Sequence, residues 1–191
     1  HCISSAASDV YKRQPKDIKV IKFSEFNDTI KENIDLIVVG VSSKGIEWVG
    51  EQLSKFYNEK TNILLLTKGL AVIENQFETL ADKLEKILKK NGTANPKISA
   101  VGGPCLASGL ANRIKSSVVL ASKNIEIVKE IGKIISTSYY STEFTDDLVG
   151  VEVCAATKNI YSMLIGASEG LSGNNIDLSL IHISEPTRPL Y

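Results

Sequence analysis

From Lys16 onward, short apolar, β-branched runs alternate with longer stretches in which apolar residues recur every three or four positions. This alternation predicts an α/β fold built on a mostly parallel sheet. Ile18–Phe23, Asp35–Val41, Thr61–Thr67, Ile98–Val101 and Ser117–Ala121 read as strands, with a short further strand around Ser138–Glu143. The helical stretches between them begin with one opened by Ser24, followed by one near Gly45–Tyr57. The next, Glu74–Lys90, carries Phe77, Leu80, Leu84, Ile87 and Leu88 as one apolar stripe. Pro104 suits the first residue of a helix starting at Cys105, and another helix is expected near Asn124–Ile135. After Asp146 the alternation stops. Leu148 to about Gly170 reads as one long, mostly apolar helix, which puts a domain boundary near residues 143–146.

The ends differ from the middle. Residues 1–14 show no sustained apolar period, and residues 181–191 carry Pro186 and Pro189 where a helical pattern should continue. Both stretches are expected to be non-native tails, which leaves 15–143 as an α/β domain and 144–180 as the start of a helical one. No run approaches the roughly 18 consecutive apolar residues of a membrane span. With 22 Lys plus Arg against 22 Asp plus Glu among 191 residues, the formal charge is zero. A neutral chain is not steered towards nucleic acid or an anionic membrane surface, so neither is expected as a partner. Cys2, Cys105 and Cys154 are too few and too scattered for a disulfide framework or zinc site, and a reducing, cytoplasmic setting follows as the expectation. The only histidines, His1 and His182, lie near the ends, so acid–base chemistry falls to Lys, Asp, Glu, Tyr or Cys.

Ligands of open α/β sheets bind beyond the carboxyl ends of the strands. Three such ends carry informative residues: Ser42-Ser43, Lys68-Gly69 and Gly103-Pro104-Cys105. Lys68 brings an ammonium to the edge, where a solvated loop lysine is the plain alternative. The Gly102-Gly103-Pro104-Cys105 turn offers the backbone N–H groups of Gly103 and Cys105 at a helix start, suited to an anion. Neither a Walker A string nor GxGxxG occurs. Lys158 is a third feature, because the nineteen residues VGVEVCAATKNIYSMLIGA hold only two formal charges, Glu152 and Lys158. Glu152 lies six positions away, about 240° around a helix, and no acid stands three or four positions from Lys158. Lys158 therefore reaches water, pairs with another element, or is desolvated in a site where a lowered pKa equips it for proton transfer. Cys154 reads as core, and Cys105 as a small polar position at a helix start.

In their order, the strings VVGVSS, LLTKGL, VGGPCLA and GVEVCAATKN resemble the NAD(P)-dependent glycerol-3-phosphate dehydrogenases over roughly residues 17–175. The resemblance implies an incomplete Rossmann-like domain with a mostly parallel sheet, followed by the truncated start of an all-α domain. It implies NAD or NADP as cofactor, and interconversion of dihydroxyacetone phosphate and sn-glycerol 3-phosphate by hydride transfer. Lys158 matches the family's catalytic lysine and substrate contact, with Asn159 as its companion. Lys68 matches a lysine reaching both substrate and cofactor; Gly103 and Cys105 match substrate-contacting positions, and Ala107 a cofactor contact. No metal is implied, and the complete protein is expected as a homodimer. Cys105 stands in place of a hydroxyl residue, Gly102 of Ser and Leu106 of Phe, and GLSGNN matches a downstream string only loosely. The family's glycine-rich first turn and its Arg-Asn pair lie outside residues 1–191, so the isolated chain is expected neither to turn over nor to bind nucleotide tightly. A lysine-dependent hydroxyacid dehydrogenase or ketopantoate reductase is an alternative, as is a non-catalytic module that retains the fold.

Overall fold

The structure, a computed structural model, describes residues 34–73 and 75–172. The expected strand Ile18–Phe23, the helix opened by Ser24 and both terminal segments lie outside the described residues. The described chain runs β1 (Leu36–Val39), a single 3-10 turn (Ser43–Gly45), α1 (Ile46–Leu53) and β2 (Asn62–Leu65). It continues through β3 (Leu70–Ile73), β4 (Gln76–Thr79), α2 (Leu80–Lys90) and β5 (Lys97–Gly102). Then come α3 (Ala107–Ala111), β6 (Ser116–Ala121), α4 (Ile125–Ile135), β7 (Tyr140–Thr145) and α5 (Leu148–Ser172).

Five strands form one sheet in the order β1-β2-β5-β6-β7, parallel at every pairing except β5 with β6. The sheet is therefore mostly parallel, as the alternation predicted. The one antiparallel pairing has a geometric consequence: the carboxyl ends of β1, β2 and β5 share an edge with the amino ends of β6 and β7. One face is covered by α1, α2 and the first turn of α5, whose Ile46, Val49, Leu53, Leu80, Leu84, Leu88 and Leu148 bury against Val39, Ile63, Leu65 and Ala100. On the other face Val128 and Ile131 of α4 pack on Leu64 and Leu120. Whereas β7 at the sheet's edge is largely exposed, the central strands β2 and β5 are buried on both sides, which is why they read as nearly continuous apolar runs. Two buried hydroxyls interrupt them at no cost in unpaired groups, since Ser99 donates to the Ile63 carbonyl and Ser122 to that of Ile98, each at 2.7 Å.

Four expectations are corrected. The helix expected over Glu74–Lys90 begins only at Leu80, because β3 and β4 form an antiparallel hairpin ahead of it with Asn75 at φ 62°. Thr79 caps the helix by accepting from the Asp82 N–H at 3.1 Å. Phe77 thus belongs to a strand and is 80% exposed instead of lining the helix's apolar stripe. The helix expected from Cys105 starts at Ala107, after an extended Leu106. Cys154, expected in the core, is exposed. Finally, Leu148–Ser168 of α5 is by length and composition long and apolar enough to cross a membrane, although its apolar residues are interrupted by Glu152 and Lys158. Its first turn nevertheless belongs to the domain's core through Leu148, while Ile160, Tyr161, Met163 and Leu164 are exposed among the described residues.

Candidate active site at the carboxyl edge of the sheet

In-register pairing sets the edge. Val39 lies opposite Leu65 and Leu65 opposite Ala100, so the loops that follow β1, β2 and β5 emerge side by side. Two bonds brace the first pair: Leu66 N–H donates to the Val39 carbonyl at 2.9 Å and the Thr67 hydroxyl to that of Val41 at 2.7 Å. Gly69 sits beside Ser43 with φ 134°, a backbone conformation that side chains rarely adopt, so the turn itself calls for glycine. Lys68 is exposed and enters no ion pair among the described residues. Loops 40–45, 66–69 and 103–106 together hold Lys44 and Lys68 and no carboxylate. A neutral protein thus presents a locally basic edge with the Ser42 and Ser43 hydroxyls beside it, a donor set that fits phosphate groups.

At the end of β5 two glycines serve different ends. Gly103 has φ 141°, and a Cβ there would meet the Val118 Cα at 3.0 Å, so both its backbone and its packing on β6 demand glycine. Gly102 instead makes room for α5, since a Cβ would stand 2.8 Å from Val151 Cγ1. Cys105 follows, half-buried, and Ala107 is exposed at the start of the five-residue α3. Tyr140, at the amino end of β7, lies near Cys105: burial first, and then its electrostatic coupling to that residue, push the phenol's pKa up.

The helix carrying Lys158 is fixed at this edge. Leu148 sits in the core and Val151 lies against Gly102, so α5 leaves the sheet where β5 ends. Seven residues further, about 10 Å along the axis, is Lys158. The next residue after Val151 is the best anchored: Glu152, 4% exposed, accepts the Leu80 N–H at 3.1 Å and the Ala81 N–H at 3.2 Å through Oε1. Oε2 takes a longer bond of 3.3 Å from the same Ala81 N–H. These are donors that the first turn of α2 cannot satisfy within its own helix. Burial pushes the carboxyl up to about 7, against the pull of the Ala81 N–H, the Thr79 hydroxyl and the Leu80 N–H, and with the help of the Asp82 charge.

The structure therefore brings Lys68, Gly103 and Cys105 to one edge and starts the Lys158 helix from it. Desolvation of Lys158 is not observed: Lys158 and Asn159 are both exposed among the described residues. Sequence reasoning passed over Glu152 and Tyr140. A signal for Glu152 was present, because a glutamate in an apolar helix with Leu148, Val149, Ala155 and Ala156 at its three- and four-residue neighbours has no local cation and must find donors on another element.

A family model described as the NAD-dependent glycerol-3-phosphate dehydrogenase N-terminus matches residues 11–128. The chain belongs to this family. Among curated glycerol-3-phosphate dehydrogenases, the NAD(P)+ enzyme of Fusobacterium nucleatum is 30% identical over 171 residues, covering 87% of this chain and 48% of the relative. The NADP(+)-dependent enzyme of Archaeoglobus fulgidus is 28% identical over 149 residues, 78% of this chain and 43% of the relative. The chain thus spans about half the length of the curated glycerol-3-phosphate dehydrogenases it matches. A solved glycerol-3-phosphate dehydrogenase from Coxiella burnetii superposes with a TM-score of 0.58 at 28% identity, over 78% of this chain and 43% of that one. The Saccharomyces cerevisiae enzyme, at 20% identity and a TM-score of 0.67 over 82% of this chain and 45% of that one, agrees in fold.

Proposed function

We propose that the complete protein interconverts dihydroxyacetone phosphate and sn-glycerol 3-phosphate with NAD(H) or NADP(H). The observation that carries this reading is the convergence at one edge: two exposed lysine-bearing loops free of carboxylates, and a lysine-bearing helix rising from Gly102. Family membership and the printed names of the relatives support the same choice of chemistry. A cytoplasmic enzyme, dimeric and without nucleic-acid or membrane partners, is part of this proposal.

The edge suits a dinucleotide and a phosphorylated ketone, because both are polyanions and the loops offer ammonium, hydroxyl and backbone N–H donors with no opposing carboxylate. When bound, the nicotinamide supplies or accepts the hydride at the substrate's C2. The protein's own residues do the rest. Lys68 holds positive charge against the substrate and the cofactor, the N–H groups of Gly103 and Cys105 orient the substrate, and Ala107 lies beside the cofactor. Lys158 gives a proton to the alkoxide oxygen as it forms and takes it back in the reverse direction, with Asn159 orienting the same oxygen.

The test is a substrate panel on the complete protein, following NADH and NADPH oxidation. Dihydroxyacetone phosphate is expected to surpass ketopantoate and unphosphorylated 2-oxo acids by at least about 100-fold in kcat/KM, since a site built to pair a phosphate leaves its donors unpaired without one. Preference for ketopantoate or a 2-oxo acid, or no turnover of any of them, would overturn it.

A further inference from the structure

Glu152 is buried, and it forms a polar tie between the two elements that bring lysines to the site. One element is the run from Lys68-Gly69 through the β3–β4 hairpin, which ends at Thr79 and passes straight into α2. The other is α5, which packs across β5 and touches β3 and β4 on its way past. Glu152 joins them by accepting both the Leu80 and the Ala81 N–H groups at the start of α2. Lys158 stands six residues further along a continuous helix, about 9 Å along its axis, so any rotation or slide of α5 about this tie moves its ammonium directly.

We propose that Glu152 is a positioning residue for the reaction, fixing the α5 helix on the amino end of α2 so that Lys158 is held in register with Lys68. It acts through the accepting geometry of Oε1, not through its charge. Oε1 alone accepts both N–H groups, and Oε2 only shares the Ala81 N–H, so a proton on Oε2 leaves both groups accepted. The acidic group on the facing element is Asp82, whose own charge is engaged by Lys123 at 2.7 Å. Among the described residues no cation pairs with Glu152. A neutral amide oxygen can accept the same N–H groups at a helix start in the same geometry as a carboxylate oxygen.

This inference rests on Lys158 as the proton donor proposed above, and the experiment separates the two. In the complete protein, turnover of dihydroxyacetone phosphate by the unaltered enzyme, and its loss in Lys158→Ala, test the donor. The ratios of Glu152 variants to the unaltered enzyme test the positioning. Glu152→Gln keeps an oxygen where Oε1 stands, and is expected to retain kcat within about threefold. Glu152→Asp keeps the charge but withdraws the oxygens by one methylene, and is expected to lower kcat roughly tenfold or more, because a misplacement on the order of 1 Å is costly in catalysis. Dinucleotide Kd is expected to stay within about threefold in both, which a general loss of structure would not allow. A charge role would give the reverse order, with Asp active and Gln impaired. That order, equal activity in both variants, or a parallel loss of kcat and dinucleotide binding would each overturn the proposal.

Discussion

Glu152 holds its proton through a range in which an ordinary glutamate has lost it, because burial raises the carboxyl from 4.5 to about 7 despite the N–H groups that face it. The folded state therefore binds more protons than the unfolded chain across that window. Its contribution to stability is full below about pH 4.5 and is lost as pH rises through about 7, with no further change above. Asp82 and Glu85 run the other way: burial is the largest single influence on each and pushes upward, but the hydrogen bonds and charges of their lysines, Lys123 foremost, joined at Asp82 by the Thr79 hydrogen bond, outweigh it and hold both low. Urea unfolding of the unaltered protein and of Glu152→Gln isolates the Glu152 part, because the other carboxylates cancel in the difference. The stability of the unaltered protein relative to the variant should fall between pH 5 and pH 7.5. A flat or rising difference would show that the carboxyl is ionised in the fold. At this scale the sequence was informative about residue types and less so about burial. Lys68, Gly103 and Cys105 stood out from their places after apolar runs, whereas the partner of Glu152 lies 71 residues away in the chain and left no trace in local spacing.

Strands β1, β2, β5 and β6 were legible to within two residues because each centres on a short apolar run bounded by polar or turn residues, which packing into the sheet demands. The hairpin ahead of α2 was not. Phe77 falls in phase with Leu80, Leu84 and Leu88, so a helical stripe absorbed it, although Asn75 in a left-handed turn and the Thr79-Leu80-Ala81-Asp82 cap marked where the helix starts. The docking of α5 against β5 turns on a pair of residues that no periodicity connects. A Cβ at position 102 would stand 2.8 Å from Val151 Cγ1, so Gly102→Ala should destabilise the protein by about 1–3 kcal/mol through overpacking. Adding Val151→Ala should relieve the clash, and a double-mutant cycle by denaturant unfolding should return a favourable coupling above about 0.5 kcal/mol. Strict additivity would mean that α5 does not press on the end of β5.

Across the whole molecule, zero net charge hides a basic edge. The charge count alone excluded polyanionic macromolecules as expected partners and said nothing about where Lys44 and Lys68 would gather. Their gathering follows from topology: parallel pairing of β1, β2 and β5 sends three loops to the same side, and the reversed β6 lets α5 return across the core and leave by that side. The fold class and the order of the motifs could be read from the chain, but the convergence of the loops depends on strand order, which no local pattern reveals. The chain spans about half of its curated relatives, and α5 stands largely uncovered beyond Glu152 among the described residues. Lys158 is itself exposed among the described residues, and its assignment as proton donor is tested by turnover. The most direct measurement is the kcat of Lys158→Ala in the complete protein with dihydroxyacetone phosphate, taken together with its dinucleotide Kd. Loss of the general acid should lower kcat by about 10²–10⁴-fold and leave dinucleotide affinity unchanged. A kcat within about threefold of the unaltered enzyme would contradict the account.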